Sequence, residues 1–123
     1  MKVVISSQGN SLDSPVDPRF GRCAYFVMVD TDNDTVLEAV ANPAGQAMGG
    51  AGPMAAQKIG DMGAEAVITG NLGPRAADSL TALNIKVYRV NGGTGKEAIE
   101  ALKAGKLADM GGATVEQHFG MKK

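Results

Sequence analysis

Apolar residues are concentrated in short runs that polar and glycine-rich segments separate. The first run covers residues 3–5, and the most apolar run covers residues 24–29 within a second predicted strand over residues 23–30. Because neither run alternates with polar residues, each predicts a strand that is covered on both faces of a sheet. Turn-forming residues 31–34 lead to a third predicted strand over residues 36–40, so the first three strands are expected to form an antiparallel meander.

In the second half of the chain, predicted helices alternate with two further strands. The first helix is expected to carry Pro53 at its first position, where proline is favoured, and to end at Gly63. The third helix is expected to begin at a capping box of Thr94 and Glu97 and to end at Gly105. The strands cover residues 66–69 and 85–90, and the helix between them has apolar residues at helical spacing: Ala76, Leu80 and Leu83.

The predicted element order is β-β-β-α-β-α-β-α, in which an antiparallel meander continues into right-handed βαβ crossovers. This order predicts an α/β fold with a mixed five-stranded sheet flanked by helices, in the ribonuclease H-like topology. We expect residues 1–105 to form a single domain. Residues 106–123 have weak periodicity and are interpreted as a C-terminal tail, whose mobility is left open; Val115 is a candidate for a short edge segment there.

Composition excludes several classes of protein. The chain has 123 residues, 44% of them hydrophobic, which is enough for one folded core. A net charge of −1 and few aromatic residues argue against a nucleic-acid partner. A single cysteine excludes an internal disulfide and fits the reducing cytoplasm. We also expect no signal peptide and no membrane span, and a monomer or weak homodimer.

Several loops are predicted to meet at one edge of the sheet. If the second strand is antiparallel to the first, its start lies where the first, fourth and fifth strands end. Helix N-termini and glycine-rich backbone at such an edge present N–H groups that favour anions. Arg19, Arg22 and Arg75 add positive charge, so the topology predicts a shallow anion-accepting rim with one thiol.

The seven-residue stretch from Asp17 to Cys23 carries the most chemistry within this rim. It holds two arginines, an acid, an aromatic residue, a glycine and the only cysteine of the chain. Two interpretations stay open from the residues alone. The stretch is either part of a functional site or a neighbouring turn with a structural pair of Asp17 and an arginine.

Other motifs do not support a site of their own. Residues 50–55 match G-x-G-x-x-A, but the parallel βαβ context and the acid that follows a dinucleotide fingerprint are missing. The first strand has no carboxylate, which argues against a metal-dependent nuclease. The chain contains neither the C-x-x-C nor the H-x-x-H spacing that predicts a zinc site. His118 is expected to be a solvated histidine in the tail rather than a partner of Cys23.

The motifs resemble the dinitrogenase iron-molybdenum cofactor biosynthesis family, which includes NifX-like proteins, the C-terminal domain of NifB and the core of nitrogenase accessory factors. The resemblance covers about residues 1–105. It is carried by Asp17 to Cys23 with Tyr25 and Phe26, by the glycines of 49–52, and by residues 69–74. It implies the ribonuclease H-like fold, and binding or carriage of an iron–sulfur or iron–molybdenum–sulfur cluster without catalysis.

This resemblance supplies a set of candidate site residues. Nitrogenase-type relatives tend to have a histidine before the Phe-Gly pair, where this chain has Arg19, and this departure argues against a nitrogenase-specific role. Cys23 is the candidate thiolate ligand, and His118 is the second candidate metal ligand. The candidate cofactor-binding residues are Arg19, Arg22, Cys23, Gly49, Gly50, Gly52, Gly70, Asn71 and Gly73.

Three functions stay open at this point. The favoured one is a cytoplasmic carrier of an anionic metal–sulfur cluster that works with cofactor-assembly proteins. The second is an adaptor of the same fold that binds a protein and no cofactor. The third is an enzyme that uses Cys23 as a redox or nucleophilic thiol, which requires a depressed thiol pKa beside the two arginines.

Overall fold

The computed structural model describes residues 1–45 and 48–109, and their element order is the predicted one. The strands are β1 (Lys2–Ser7), β2 (Tyr25–Asp30), β3 (Thr35–Ala41), β4 (Ala66–Thr69) and β5 (Lys86–Arg89). The helices are α1 (Ala51–Asp61), α2 (Pro74–Ala82) and α3 (Gly95–Lys103). The predicted α/β class is therefore confirmed.

The five strands form one mixed sheet in the order β3-β2-β1-β4-β5. β1 pairs antiparallel with β2 and β2 with β3, which confirms the meander. β4 is parallel to β1, and β5 is parallel to β4. Consequently β1, β4 and β5 all end at the edge where β2 begins, as the topology predicted.

The two faces of the sheet bury separate hydrophobic cores because successive strand residues point to opposite faces. Val4, Phe26 and Val67 belong to the core that α1 and α2 cover. Ile5 and Val27 belong to the core that α3 covers. The interior of β1 and β2 is buried on both faces, which explains their unbroken apolar runs.

The helix ends match most of the predicted signals. The capping box is present, since the Glu97 N–H donates to the Thr94 hydroxyl and the Thr94 N–H donates to the Glu97 carboxylate. Gly63 and Gly105 follow their helices with positive φ angles of 87° and 73°. The prediction for Pro53 was wrong, because α1 begins two residues earlier at Ala51.

Strand limits and the end of the described chain differ slightly from the expectations. β2 begins at Tyr25, so Cys23 lies in the loop before the strand rather than in it. Beyond residue 105, Leu107 packs against the core under α3, and Asp109 forms an isolated bridge with Tyr88 of β5. The predictions for Val115 and His118 lie outside the described residues. In the part of the chain that is described, the longest apolar helix falls well short of membrane-spanning length.

Candidate functional site

The loop that precedes β2 is bound to the ends of three strands. The Asp17 N–H donates to the Ser6 carbonyl at the end of β1, at 2.9 Å. The Asn71 N–H, just after β4, donates to the Pro18 carbonyl at 2.7 Å, and the Val16 N–H donates to the Gly93 carbonyl beyond β5 at 2.9 Å. These hydrogen bonds assemble the rim that the topology predicted.

Asp17 organises the conformation of Arg19 from beneath the surface. The Asp17 side chain is only 2% exposed, and its carboxylate accepts hydrogen bonds from the Arg19 backbone N–H at 3.0 Å and from Nε at 3.2 Å. A third bond joins the Arg19 Nη2 to the second carboxylate oxygen at 3.3 Å. The hydrogen bond with Asp17 and its charge raise the pKa of Arg19. The structural pair is thus present, and Arg19 nevertheless faces solvent.

Arg19 lines an open pocket of about 410 Å³ at this rim, which we call the rim pocket. One wall comes from the loop before β2, another from the start of α1, and a third from the start of α2. The lining residues are Arg19, Phe20, Gly21, Gly52, Asn71, Leu72, Gly73, Pro74, Arg75 and Ala76. Among the described residues, two cationic side chains and no carboxylate therefore line the pocket.

The helix N-termini at the rim pocket are unlike the N-terminus of α3. α1 follows Gly50 and α2 follows Gly73; neither helix has a side-chain cap or an acidic residue in its first turn. α3, by contrast, has both in its capping box. The first N–H groups of a helix lack intrahelical acceptors and carry a partial positive charge. Proline has no N–H, so the first turns provide those of Ala51 and Gly52 in α1, before Pro53, and those of Arg75 and Ala76 in α2, after Pro74.

Close packing explains some glycines of the rim but not Gly73. A Cβ on Gly21 would lie 3.0 Å from the Gly52 backbone nitrogen, and a Cβ on Gly70 would lie 2.6 Å from the Pro18 Cα. A Cβ on Gly73 would meet no atom within 4 Å, and its φ of −78° suits any residue. A side chain there would enter open space, which is the space that a bound anion needs.

The structure brings most of the candidate residues to this rim. Arg19, Gly52, Asn71 and Gly73 line the rim pocket, as does Arg75. Gly49 and Gly50 lie just before α1, and Gly70 lies beneath Pro18. The Arg22 Nη1 donates to the Gly45 carbonyl at 3.4 Å, so this arginine contacts the loop that leads to α1.

Cys23 differs from an exposed reactive thiol. Its side chain is 1% exposed, and the Asn42 Nδ2 lies 3.7 Å from Sγ. Burial, followed by the negative charge of Asp17, raises the pKa of the Cys23 thiol to about 12. The enzymatic hypothesis required a depressed pKa of the Cys23 thiol, and this prediction is wrong.

Asn42 is the organising residue that the sequence analysis missed. Its buried Nδ2 donates to the carbonyls of Gly21 at 3.1 Å and Cys23 at 3.0 Å, and its Oδ1 accepts from the Ala44 N–H at 2.9 Å. It thus joins the loop before β2 to the segment after β3. Its only sequence signal was an asparagine between a strand and Pro43, which also fits an ordinary turn.

Protein ligands for a metal ion are sparse in this region. Within residues 1–45 and 48–109, no three histidine, cysteine, aspartate or glutamate residues are grouped to hold a metal ion. A group bound at the rim would consequently rely on N–H donors and arginines more than on a set of coordinating side chains.

These observations define a small α/β protein whose sheet edge carries an open pocket, lined by two arginines and by the first turns of two helices. The chain belongs to the dinitrogenase iron-molybdenum cofactor family, whose sequence model matches residues 1–105. A curated relative, an uncharacterized protein of Methanocaldococcus jannaschii, is 35% identical over 109 residues, which cover 87% of this chain and 89% of the relative.

Solved structures share the fold. The apo form of the orange protein from Desulfovibrio gigas superposes with a TM-score of 0.86 at 37% identity, covering 91% of this chain and 94% of that one. The NMR structure of a candidate NifB protein from Thermotoga gives a TM-score of 0.80 at 40% identity, covering 94% and 98%. The family resemblance inferred from the motifs is therefore confirmed.

Proposed function

We propose that this protein is a non-catalytic carrier of an anionic metal–sulfur cluster, of the iron–sulfur or iron–molybdenum–sulfur type, that serves metallocofactor assembly. The observation that carries the proposal is the rim pocket, where two uncapped helix N-termini meet Arg19 and Arg75. Membership of a family described by an iron-molybdenum cofactor supports the class of cargo.

The residues of the pocket suit a sulfide-bridged anion. Backbone N–H groups and guanidinium groups donate hydrogen bonds to sulfide and balance negative charge, so they hold a cluster without forming bonds to its metals. Because Arg19 is already neutralised in part by Asp17, Arg75 supplies the larger share of uncompensated charge. No ion pair of Arg75 occurs among the residues that the structure describes.

Cys23 and His118 have smaller parts in this proposal. A metal that binds Cys23 has to displace a proton from a thiol whose pKa is raised to about 12, and the loop before β2 has to expose the sulfur. We therefore assign the main hold to backbone and arginines, and keep Cys23 as a ligand that engages after loading. The role of His118 as a metal ligand stays a prediction outside the described residues.

The proposed location is the cytoplasm, where reducing conditions preserve both a free thiol and a sulfide cluster. The proposed partners are the cluster itself and cofactor-assembly proteins. In this proposal the protein binds and releases its cargo without changing it.

Anaerobic reconstitution tests the proposal. The apo-protein is incubated with iron, sulfide and molybdate and desalted, and its visible absorption and metal content are measured. We expect Arg75→Gln to lower the bound metal several-fold, whereas Lys86→Gln, which removes a charge at the opposite end of the sheet, leaves it unchanged. Colourless, metal-free protein in every sample would contradict the carrier function.

The Cys23→Ser variant distinguishes a cluster held by backbone N–H groups and arginines from a cluster held by the Cys23 thiolate. Metal retained in this variant assigns the hold to backbone and arginines, as we expect, and metal lost in it assigns the hold to the thiolate.

An adaptor without cofactor is the second candidate, and the edge strand β3 favours it. The side chains of Val36 and Leu37 are 41% and 45% exposed there, and an edge strand has unpaired backbone groups that can bind a partner strand. The adaptor predicts that a cofactor-assembly protein binds the metal-free chain, that binding survives Cys23→Ser, and that Leu37→Lys weakens it. Binding that requires a loaded cluster would contradict the adaptor.

A further inference from the structure

A second cavity of about 130 Å³ lies beside the rim pocket and shares only Asn71 with it. The loop before β2 and the segment after β4 separate the two cavities, and they meet at the backbone bridge between Arg19 and Asn71. Residues that precede this bridge in each segment line the small cavity, and residues that follow it line the rim pocket. The small cavity is lined by Val16, Pro18, Gly70, Asn71, Arg89, Val90, Asn91 and Gly92.

Arg89 is the one charged residue of this lining, and the backbone fixes its orientation. Its Nε donates to the Gly70 carbonyl at 2.8 Å, which leaves the two terminal amino groups of the guanidinium for another acceptor. None of the ion pairs within residues 1–45 and 48–109 involves Arg89. A planar guanidinium held at one nitrogen presents its remaining donors in a defined direction.

In the part of the chain that the structure describes, no carboxylate lines this cavity. Gly70 is held between Pro18, which a Cβ would approach to 2.6 Å, and the Arg89 guanidinium. The neighbouring carboxylates have partners of their own: Asp17 binds Arg19, and Glu97 binds the Thr94 N–H. Among residues 1–45 and 48–109, the lining of the cavity therefore contains one positive charge, two asparagines and no carboxylate.

We propose that this cavity binds a small tetrahedral oxyanion of the sulfate and phosphate class, with Arg89 as the principal donor and Asn71, Asn91 and Gly92 around it. Its volume is several times the ~30 Å³ that one water molecule occupies in the liquid, so a single oxyanion fits. Such a site goes beyond the proposed carrier function, because its lining, size and ligand differ from those of the rim pocket.

Amide chemical shifts of ¹⁵N-labelled apo-protein test this site. Sodium sulfate and sodium phosphate are each titrated at constant ionic strength, with sodium chloride as the reference salt. We expect saturable shifts that are largest at Asn91, Gly92 and Asn71, and competition between sulfate and phosphate for the same amides.

Two matched arginine variants assign the donor. Arg89→Gln is expected to weaken binding about tenfold or more, because it removes the charge-assisted pair. Arg75→Gln removes the same charge from the rim pocket and is expected to change the affinity less than about twofold, since its screened field acts from outside the cavity. Thermal unfolding of each variant verifies that it folds. If Arg89→Gln does not fold, the location of the chemical-shift changes in the unaltered chain decides whether the oxyanion binds in this cavity.

Two results would overturn the inference. Shifts that rise linearly with both salts and do not saturate would show that the cavity holds no oxyanion. Saturable shifts centred on Gly52 and Gly73, and lost in Arg75→Gln, would place the anion in the rim pocket. The carrier function is tested separately by metal retention, so either proposal can fail alone.

Discussion

Gly52 of α1 and Ala76 of α2 lie so close that a Cβ on Gly52 would be 2.9 Å from the Ala76 Cβ. This contact brings the N-termini of two helices together at one side of the rim pocket. The first turns of both helices thereby border the same pocket, which neither helix forms by itself. The absence of one side chain thus controls the geometry of the proposed anion site.

Gly52→Ala is expected to push the two helices apart. Overpacking costs about 1–3 kcal/mol, and alanine regains roughly 0.5–1 kcal/mol over glycine in a helix, so a net loss of stability results. Urea unfolding measures it, and cluster retention is expected to fall as well. Gly49→Ala is the control, because its Cβ meets nothing within 4 Å; equal stability of the two variants would contradict the packing argument.

Gly73→Asp is expected to separate stability from binding. The backbone at Gly73 already has the extended conformation of an N-cap residue, with φ −78° and ψ 168°. An aspartate there caps the N–H groups of α2 and stabilises the helix by about 0.3–1 kcal/mol. The same carboxylate occupies the donors that an anion would use, so metal retention after reconstitution should fall several-fold. A less stable variant, or one that keeps its metal, would refute this account.

The buried thiol predicts a loss of stability in alkaline solution. An unfolded cysteine loses its proton near pH 8.5, whereas the folded-state pKa of Cys23 is raised to about 12. Between these values the folded state binds more protons than the unfolded state, so stability decreases as the pH rises. From pH 7.5 to 9.5 we expect the unaltered chain to lose about 1.4 kcal/mol more than Cys23→Ser.

Denaturant unfolding of both proteins at the two pH values measures this difference, and comparison with the serine variant cancels the titration of tyrosines and lysines. If the free energy of unfolding changed equally with pH in both proteins, burial would not raise the pKa of the Cys23 thiol. Native-state alkylation at neutral pH gives an independent readout, and it should be slow.

Asn42→Ala is expected to loosen the loop before β2. The change leaves the carbonyls of Gly21 and Cys23 without their donor, and unsatisfied buried groups cost about 1–3 kcal/mol. It also opens the environment of Cys23, so alkylation of the native protein should accelerate. Asn33→Ala in the exposed turn between β2 and β3 is the matched control and should change neither quantity.

The fold was predictable because its signals are local. Apolar runs marked β1 and β2 as covered strands, and the capping box at Thr94 marked the start of α3. Strand order then followed from general rules of connection, and the order placed the loops at one edge. The start of α1 was misplaced because Pro53 is acceptable at more than one position in the first turn, and Gly50 gave no distinctive signal.

The candidate site was predictable only in part, for a physical reason. Residue types and topology were sufficient to bring Arg19, Asn71 and Gly73 to the same rim. The environment of each side chain depends on atoms that are distant in sequence, and only the tertiary structure decided it. Burial and the negative charge of Asp17 keep Cys23 protonated, although the sequence made it a candidate thiolate ligand. The carbonyl of Gly70 gives Arg89 a direction that no neighbouring residue in the sequence indicates.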